Sequence, residues 1–191
     1  MPKQADEVKR QEYLELLSIY EKCLYPIVYI DESGFKIEDN RPHVYAPKGQ
    51  TYQEKGTFSV KQKNVIGAIC GQTPFALSVF DCSITADVFY AWVIQQLIPE
   101  LPAHSVVVMD NAPFHKKKDI QTALEQAGHQ ILWLSPYSPD FNPIEKLWSW
   151  IKYLRKVWNV NCIETLLFWF LTIVSFLGNY TIYVLAIDNN T

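Results

Sequence analysis

Two short apolar runs in this chain each end on an aspartate: PIVYIDESGF, with Asp31, and SVVVMDNAPFHK, with Asp110. Runs so short, rich in Val and Ile and bounded by turn-forming residues, read as strands buried within a sheet. A carboxylate at the end of a buried strand costs free energy unless something pairs with it. A third acid, Glu145, lies in YSPDFNPIEKLWSWIK, where a proline-bearing loop leads into an amphipathic helix. The partner that best satisfies three converging carboxylates is a divalent metal ion, and hard oxygen donors suit Mg2+ or Mn2+ where Cys or His would select softer metals. Taken singly, each acid has a plainer reading. Asp31 and Asp110 would pass as turn formers, and Glu145 is favoured by the dipole at a helix N-terminus.

The pattern around these acids predicts an α/β fold. Tyr13, Leu16, Leu17, Tyr20 and Leu24 fall at helical spacing, which predicts one helix within residues 3–24, resting on the domain or ending a larger N-terminal region. A strand over 27–31 is followed by a polar, turn-rich loop or irregular hairpin over 38–63. Strands over 64–70 and 75–81 flank a turn at Gly71 and Pro74. Thr85 caps a helix running to about residue 98, stopped by Pro99 and Pro102. A strand over 105–110, a helix over 117–127 ended by Gly128 and a strand over 130–134 follow. Asn142 caps the last helix, with Pro143 at its first position. Ile144, Leu147, Trp148, Ile151 and Leu154 line one face of that helix, and Lys146, Lys152, Arg155 and Lys156 lie mostly away from it. Antiparallel strands followed by αβ crossovers give a mixed five-stranded sheet flanked by helices. In such a sheet the first and fourth strands are parallel neighbours, which brings Asp31 and Asp110 to the same edge.

With 191 residues the chain holds one full domain and not comfortably two. At 49% hydrophobic and 19% charged it is no disordered segment. Its net charge of -3 is awkward for unaided DNA binding, so basic residues are clustered or a DNA-binding part lies elsewhere. Cys23, Cys70, Cys82 and Cys162 show no Cys-x-x-Cys spacing and read as free thiols. The polar opening MPKQADEVKRQEY is no signal peptide, which points to the cytoplasm.

YIDESGF, VVMDNAPFHK and YSPDFNPIEKLW, in that order and with 34 residues between Asp110 and Glu145, resemble the DDE transposases, specifically the mariner-like superfamily in its bacterial insertion-sequence branch. The resemblance covers about residues 25–157. It implies a ribonuclease H-like catalytic domain over 25–160, with Asp31, Asp110 and Glu145 as catalytic metal ligands for two Mg2+ (or Mn2+) ions. Two such ions, about 3.5–4 Å apart, activate a water or a DNA 3′-hydroxyl and stabilise the leaving oxygen. Asp31 would bridge both ions. The implied reaction is cleavage at transposon ends, then strand transfer into target DNA, carried out by a homodimer in a DNA complex with no small-molecule substrate. Its place would be the cytoplasm, at the nucleoid. Asn111, His115 and Asn142 match polar family positions near the site. His115 orients a ligand, touches DNA phosphate, or is a plain loop histidine. Asp140 reads as part of the loop turn. Lys116, with Lys117 and Lys118, is either a solvated helix start or a phosphate-contacting patch.

Two features depart from the family pattern. A helix-turn-helix region of roughly a hundred residues usually precedes the catalytic domain and binds the inverted repeats; here residues 1–24 read as its remnant, with the rest expected on a separate polypeptide. Residues 161–191 read as a divergent hydrophobic tail, uncharged from Thr165 to Ile187. An out-of-frame tail ranks first, a buried C-terminal helix second and a membrane span third, since about 20 apolar residues suffice to cross a bilayer. Two other functions stand beside transposition: a ribonuclease H-like nuclease without strand transfer, and an inactive truncated remnant.

Overall fold

The computed structural model describes residues 7–37, 61–113, 115, 118–136 and 138–178. Most of the loop expected over 38–63 therefore lies outside the described residues, as does Lys116. Five strands form one sheet: β1 (Ile27–Ile37), β2 (Lys61–Cys70), β3 (Thr73–Phe80), β4 (Val106–Met109) and β5 (Gln130–Trp133), in the order β3-β2-β1-β4-β5. β1 is antiparallel to β2 and parallel to β4, with Tyr29 opposite Val108. Two more residues along each strand bring Asp31 and Asp110 to the same level of the sheet.

β1 is longer than the expected strand over 27–31. It runs through Asp31 to Ile37, with Asp31 opposite Gly67 and Phe35 opposite Lys63 on β2. The DESG stretch is strand and not turn, because its backbone groups are taken up by the β2 ladder while Phe35 supplies a buried anchor beyond it. Gly71, at φ +59°, makes the tight turn between β2 and β3.

Side-chain alternation sorts the strands between two faces. Val28, Ile30, Ile66, Ala68, Val107 and Met109 point to one face. That face is covered by α2 (Ala86–Trp92), its continuation through the π-helical Val93–Leu97 and α3 (Ile98–Glu100), and α4 (Lys118–Gln126). Pro99 sits inside this helical run rather than ending it. Its ring removes one N–H from the i→i−4 ladder, and the π turn lies directly before it. Gly128, at φ +86°, follows the end of α4.

On the opposite face α5 (Ile144–Trp158) and α6 (Ile163–Gly178) pack over β1 to β3, and α1 (Glu7–Lys22) packs over β4 and β5 through Tyr13. The segment read as a divergent tail thus differs from that reading as far as Gly178. Ile163, Leu166, Leu167 and Phe170 of α6 are buried against Ile144, Leu147, Trp148 and Ile151 of α5 and against Phe35, Val65 and Ile69. The apolar residues of α6 at spacings of three and four are half of a core layer, which an unbroken apolar run had concealed. Among the described residues no single helix is long and apolar enough to cross a membrane.

Candidate active site

Period-two alternation separates the two acids of the first motif. Asp31 lies on the face of β1 that carries Phe35, beneath α5, whereas Glu32 lies on the face covered by α2 and α4. Asp110 follows the last residue of β4, and Glu145 sits in the first turn of α5. Asp31, Asp110 and Glu145 line one cleft of about 380 Å³ together with Asn111, Ser138 and Asn142.

The cleft gathers negative potential that His115 offsets only on the Asp110 side. Burial, then Glu32, Glu145 and Asp110, push the Asp31 carboxyl up to about 7, while a backbone hydrogen bond opposes them. Asp110 is fixed from below: its Oδ1 accepts from the Ala112 N–H at 2.8 Å and stands 2.6 Å from His115 Nδ1. On its other side His115 Nε2 lies 2.7 Å from Glu32 Oε1. The imidazole is 1% exposed and packs at a tilt against Phe89, 4.3 Å between ring centroids. Burial disfavours its charge, but hydrogen bonds to Asp110 and Glu32 outweigh this and raise it to about 9. At neutral pH His115 is an imidazolium held between two carboxylates. It is no plain loop histidine, and Glu32, which nothing in the motif singles out, joins the same network.

The loop before α5 is held from both sides. Asn111 Nδ2 donates to the Leu134 carbonyl, tying the ends of β4 and β5 together. Arg10 of α1 reaches Asp140 at 2.7 Å and 3.1 Å and Ser138 Oγ at 2.8 Å, with its guanidinium 4.0 Å over the Phe141 ring. Asp140 is thus spent on Arg10 at the 3-10 turn Pro139–Phe141. Tyr13 stacks on the same Phe141 ring, 5.5 Å between centroids. The expected side-chain cap by Asn142 is not formed. Pro143 is the N-cap, the Asn142 carbonyl accepts from the Glu145 N–H at 3.1 Å, and Asn142 Oδ1 is buried without a hydrogen-bond partner. Pro143 has no N–H to give that oxygen, which leaves it at the cleft wall.

The donor set fits a hard divalent cation: three carboxylates and an orphaned amide residue line the same cleft. Among the described residues no three His, Cys, Asp or Glu side chains stand close enough to enclose an ion as they are. Mutual repulsion keeps carboxylates apart until a cation draws them in, and Asp110 already accepts two hydrogen bonds. Lys116 lies outside the described residues.

Residues 26–167 match the model of the DDE superfamily endonucleases. The chain belongs to that family. No curated protein sequence matches significantly. Solved structures similar to this DDE-superfamily chain include the catalytic domain of Mos1 mariner transposase, at 17% identity over 89% of this chain and 82% of that one, with a TM-score of 0.64. The Mos1 transposase paired-end complex with left transposon end aligns at 20% identity and TM-score 0.60, covering 81% of this chain and 51% of the other. The Mos1 strand transfer complex aligns at 22% identity and TM-score 0.54, covering 75% and 46%. The likeness shows the fold: the mixed sheet with helices on both faces is the ribonuclease H-like architecture of that catalytic domain. The chain spans about half the length of the transposase chains in those two DNA complexes.

Proposed function

We propose that this chain is the catalytic part of a DDE transposase, cleaving DNA at transposon ends and transferring the freed 3′ ends into target DNA. The observation that carries the reading is the shared cleft of Asp31, Asp110 and Glu145, three acids from three separate elements of a DDE-family fold. Bound Mg2+ or Mn2+ supplies activation of the attacking oxygen and stabilisation of the leaving one. Asp31, Asp110 and Glu145 would hold two such ions, in line with the Mos1 paired-end complexes with Mg and with Mn. His115 and Glu32 fix the orientation of Asp110, and Asn111 with the Arg10-held loop sets the cleft walls.

The bacterial insertion-sequence branch of the mariner-like superfamily, a homodimeric DNA complex and a separate helix-turn-helix polypeptide belong to the same proposal. So does the assignment of residues 25–160 as the catalytic unit, extended at its C-terminal end by α6, which packs on α5. The sequence motifs support the branch, and the paired-end Mos1 complex supports assembly on DNA.

A strand-transfer assay tests the reading, using an oligonucleotide that ends in the inverted repeat flanking the coding region and a supercoiled target plasmid. Joined product that requires Mg2+ or Mn2+ and vanishes in Asp110→Ala supports it. Metal-dependent nicking without joining would reduce the protein to a nuclease, and neither reaction would leave an inactive remnant.

A further inference from the structure

Glu145, Ser149, Lys152 and Lys156 are spaced four, three and four residues apart on α5, so they form a single stripe along the helix. At 1.5 Å rise per residue, Lys152 lies about 10 Å and Lys156 about 16 Å from Glu145 along the helix axis. Both lysines open onto a second cleft, of about 340 Å³, lined also by Phe35, Lys36 and Arg155. Its described lining has four cations and no carboxylate.

The four are placed with care for so acidic a chain. Arg155 Nη1 donates to the Lys36 carbonyl at 2.6 Å and Nε to the Val160 carbonyl at 3.3 Å, which pins the guanidinium between β1 and the end of α5. Lys152 Nζ sits 5.4 Å above the Phe35 ring, which orders its stem while leaving the ammonium exposed. Lys36, Lys152 and Lys156 are exposed, and none pairs with a carboxylate among the described residues. By contrast, Arg10 is paired with Asp140, and Lys63 with Asp81 and Glu164.

We propose that the stripe from Glu145 to Lys156, with the Lys36–Arg155 cleft at its far end, is a track that grips the phosphates of the DNA strand being processed. This deepens the proposed function and rests on it, since it starts at the same Glu145. One strand advances about 3.4 Å per phosphate. Lys152 and Lys156 therefore meet phosphates roughly three and five nucleotides from the bond at the acidic cleft. The contacts hold and aim the backbone without reading bases. They also bear on the charge problem: the net charge of -3 coexists with DNA binding because four cations, with no carboxylate among the described lining, gather in one cleft beside the acidic one.

The test is the salt dependence of binding to a fluorescein-labelled duplex of arbitrary sequence, read by anisotropy in metal-free buffer with the full chain. In Lys152→Gln/Lys156→Gln the slope of log affinity against log salt falls by about 1.8, near 0.9 for each phosphate contact removed. A control, Lys9→Gln/Lys22→Gln on α1, leaves the slope unchanged, and urea midpoints of both variants match the parent. An unaltered slope in the first variant, an equal loss in the control, or no salt-dependent binding by the parent overturns the track. Because no cleavage is needed, the outcomes separate: a parent that binds through these lysines yet neither cuts nor joins refutes the proposed activity alone. A parent that joins DNA with a slope indifferent to Lys152 and Lys156 refutes the track alone.

Discussion

The Nδ1 atom of His115 lies 2.6 Å from Oδ1 of Asp110, and in so buried a ring this carboxylate is one of the two that keep it charged. His115→Ala removes both hydrogen bonds and leaves Glu32 and Asp110 facing each other. The cost is about 2–3 kcal/mol, below that of breaking a fully buried pair because Asp110 is 52% exposed. The sign with pH follows from a raised folded value. The ion-pair contribution is fully present below the unfolded value near 6.5 and is lost as pH rises through about 9. Urea denaturation of parent and His115→Gln, in chelator, shows the widest gap near pH 6 and a much narrower one at pH 10.

Asp31 behaves in the opposite sense from an ordinary salt-bridged carboxylate. Its folded value near 7 lies above the unfolded one near 3.8, so ionising it penalises the fold. Stability of the metal-free protein falls between those values and levels off above about pH 7. Asp31→Asn removes the penalty and is more stable than the parent at pH 8 by ~2–4 kcal/mol in chelator. Added Mn2+ raises the melting temperature of the parent but not of the variant. Calorimetry of Mn2+ binding near pH 6.5 in two buffers of different ionisation enthalpy registers net proton release from the parent.

Why the sequence reveals the acids but not their support is a matter of range. Asp31, Asp110 and Glu145 each sit beside local signals, a Val/Ile run or a Pro-led helix start, and those runs suggest that the first and fourth strands are parallel neighbours, as they are. Glu32 carries no such signal. Its role depends on β1 continuing past Asp31, which is decided by pairing with β2 and by Phe35 packing on Trp148 of α5. The Arg10–Asp140 pair spans 130 residues and leaves no local trace. In α6 the uncharged run hid a buried stripe, because residues on both sides of the helix are apolar and periodicity alone cannot sort them.

Arg10→Ala separates positioning from stability. The ion pair to Asp140 is exposed on the aspartate side and screened by solvent, so its loss costs the fold little. The Pro139–Phe141 turn that it holds leads directly to Asn142 and Glu145, and misplacement of a ligand on that scale lowers the rate far more than the fold. Strand-transfer rates drop by about tenfold while the urea midpoint moves little; equal, small effects on both would show that the loop keeps its place without α1.

Phe170→Ala asks whether α6 belongs to the catalytic unit. The ring is 1% exposed, lies 5.3 Å from Trp150 edge-on, and fills the layer between α6 and α5. Truncation there leaves a cavity beneath the helix that carries Glu145, at a cost of about 3–5 kcal/mol. Phe176→Ala, 70% exposed on the same helix, costs less than ~0.5 kcal/mol. Denaturant midpoints that separate the two variants in this order place α6 in the folded core. Equal, negligible effects would mean that residues 163–178 detach without disturbing α5, and that the sheet with α1 to α5 folds without them.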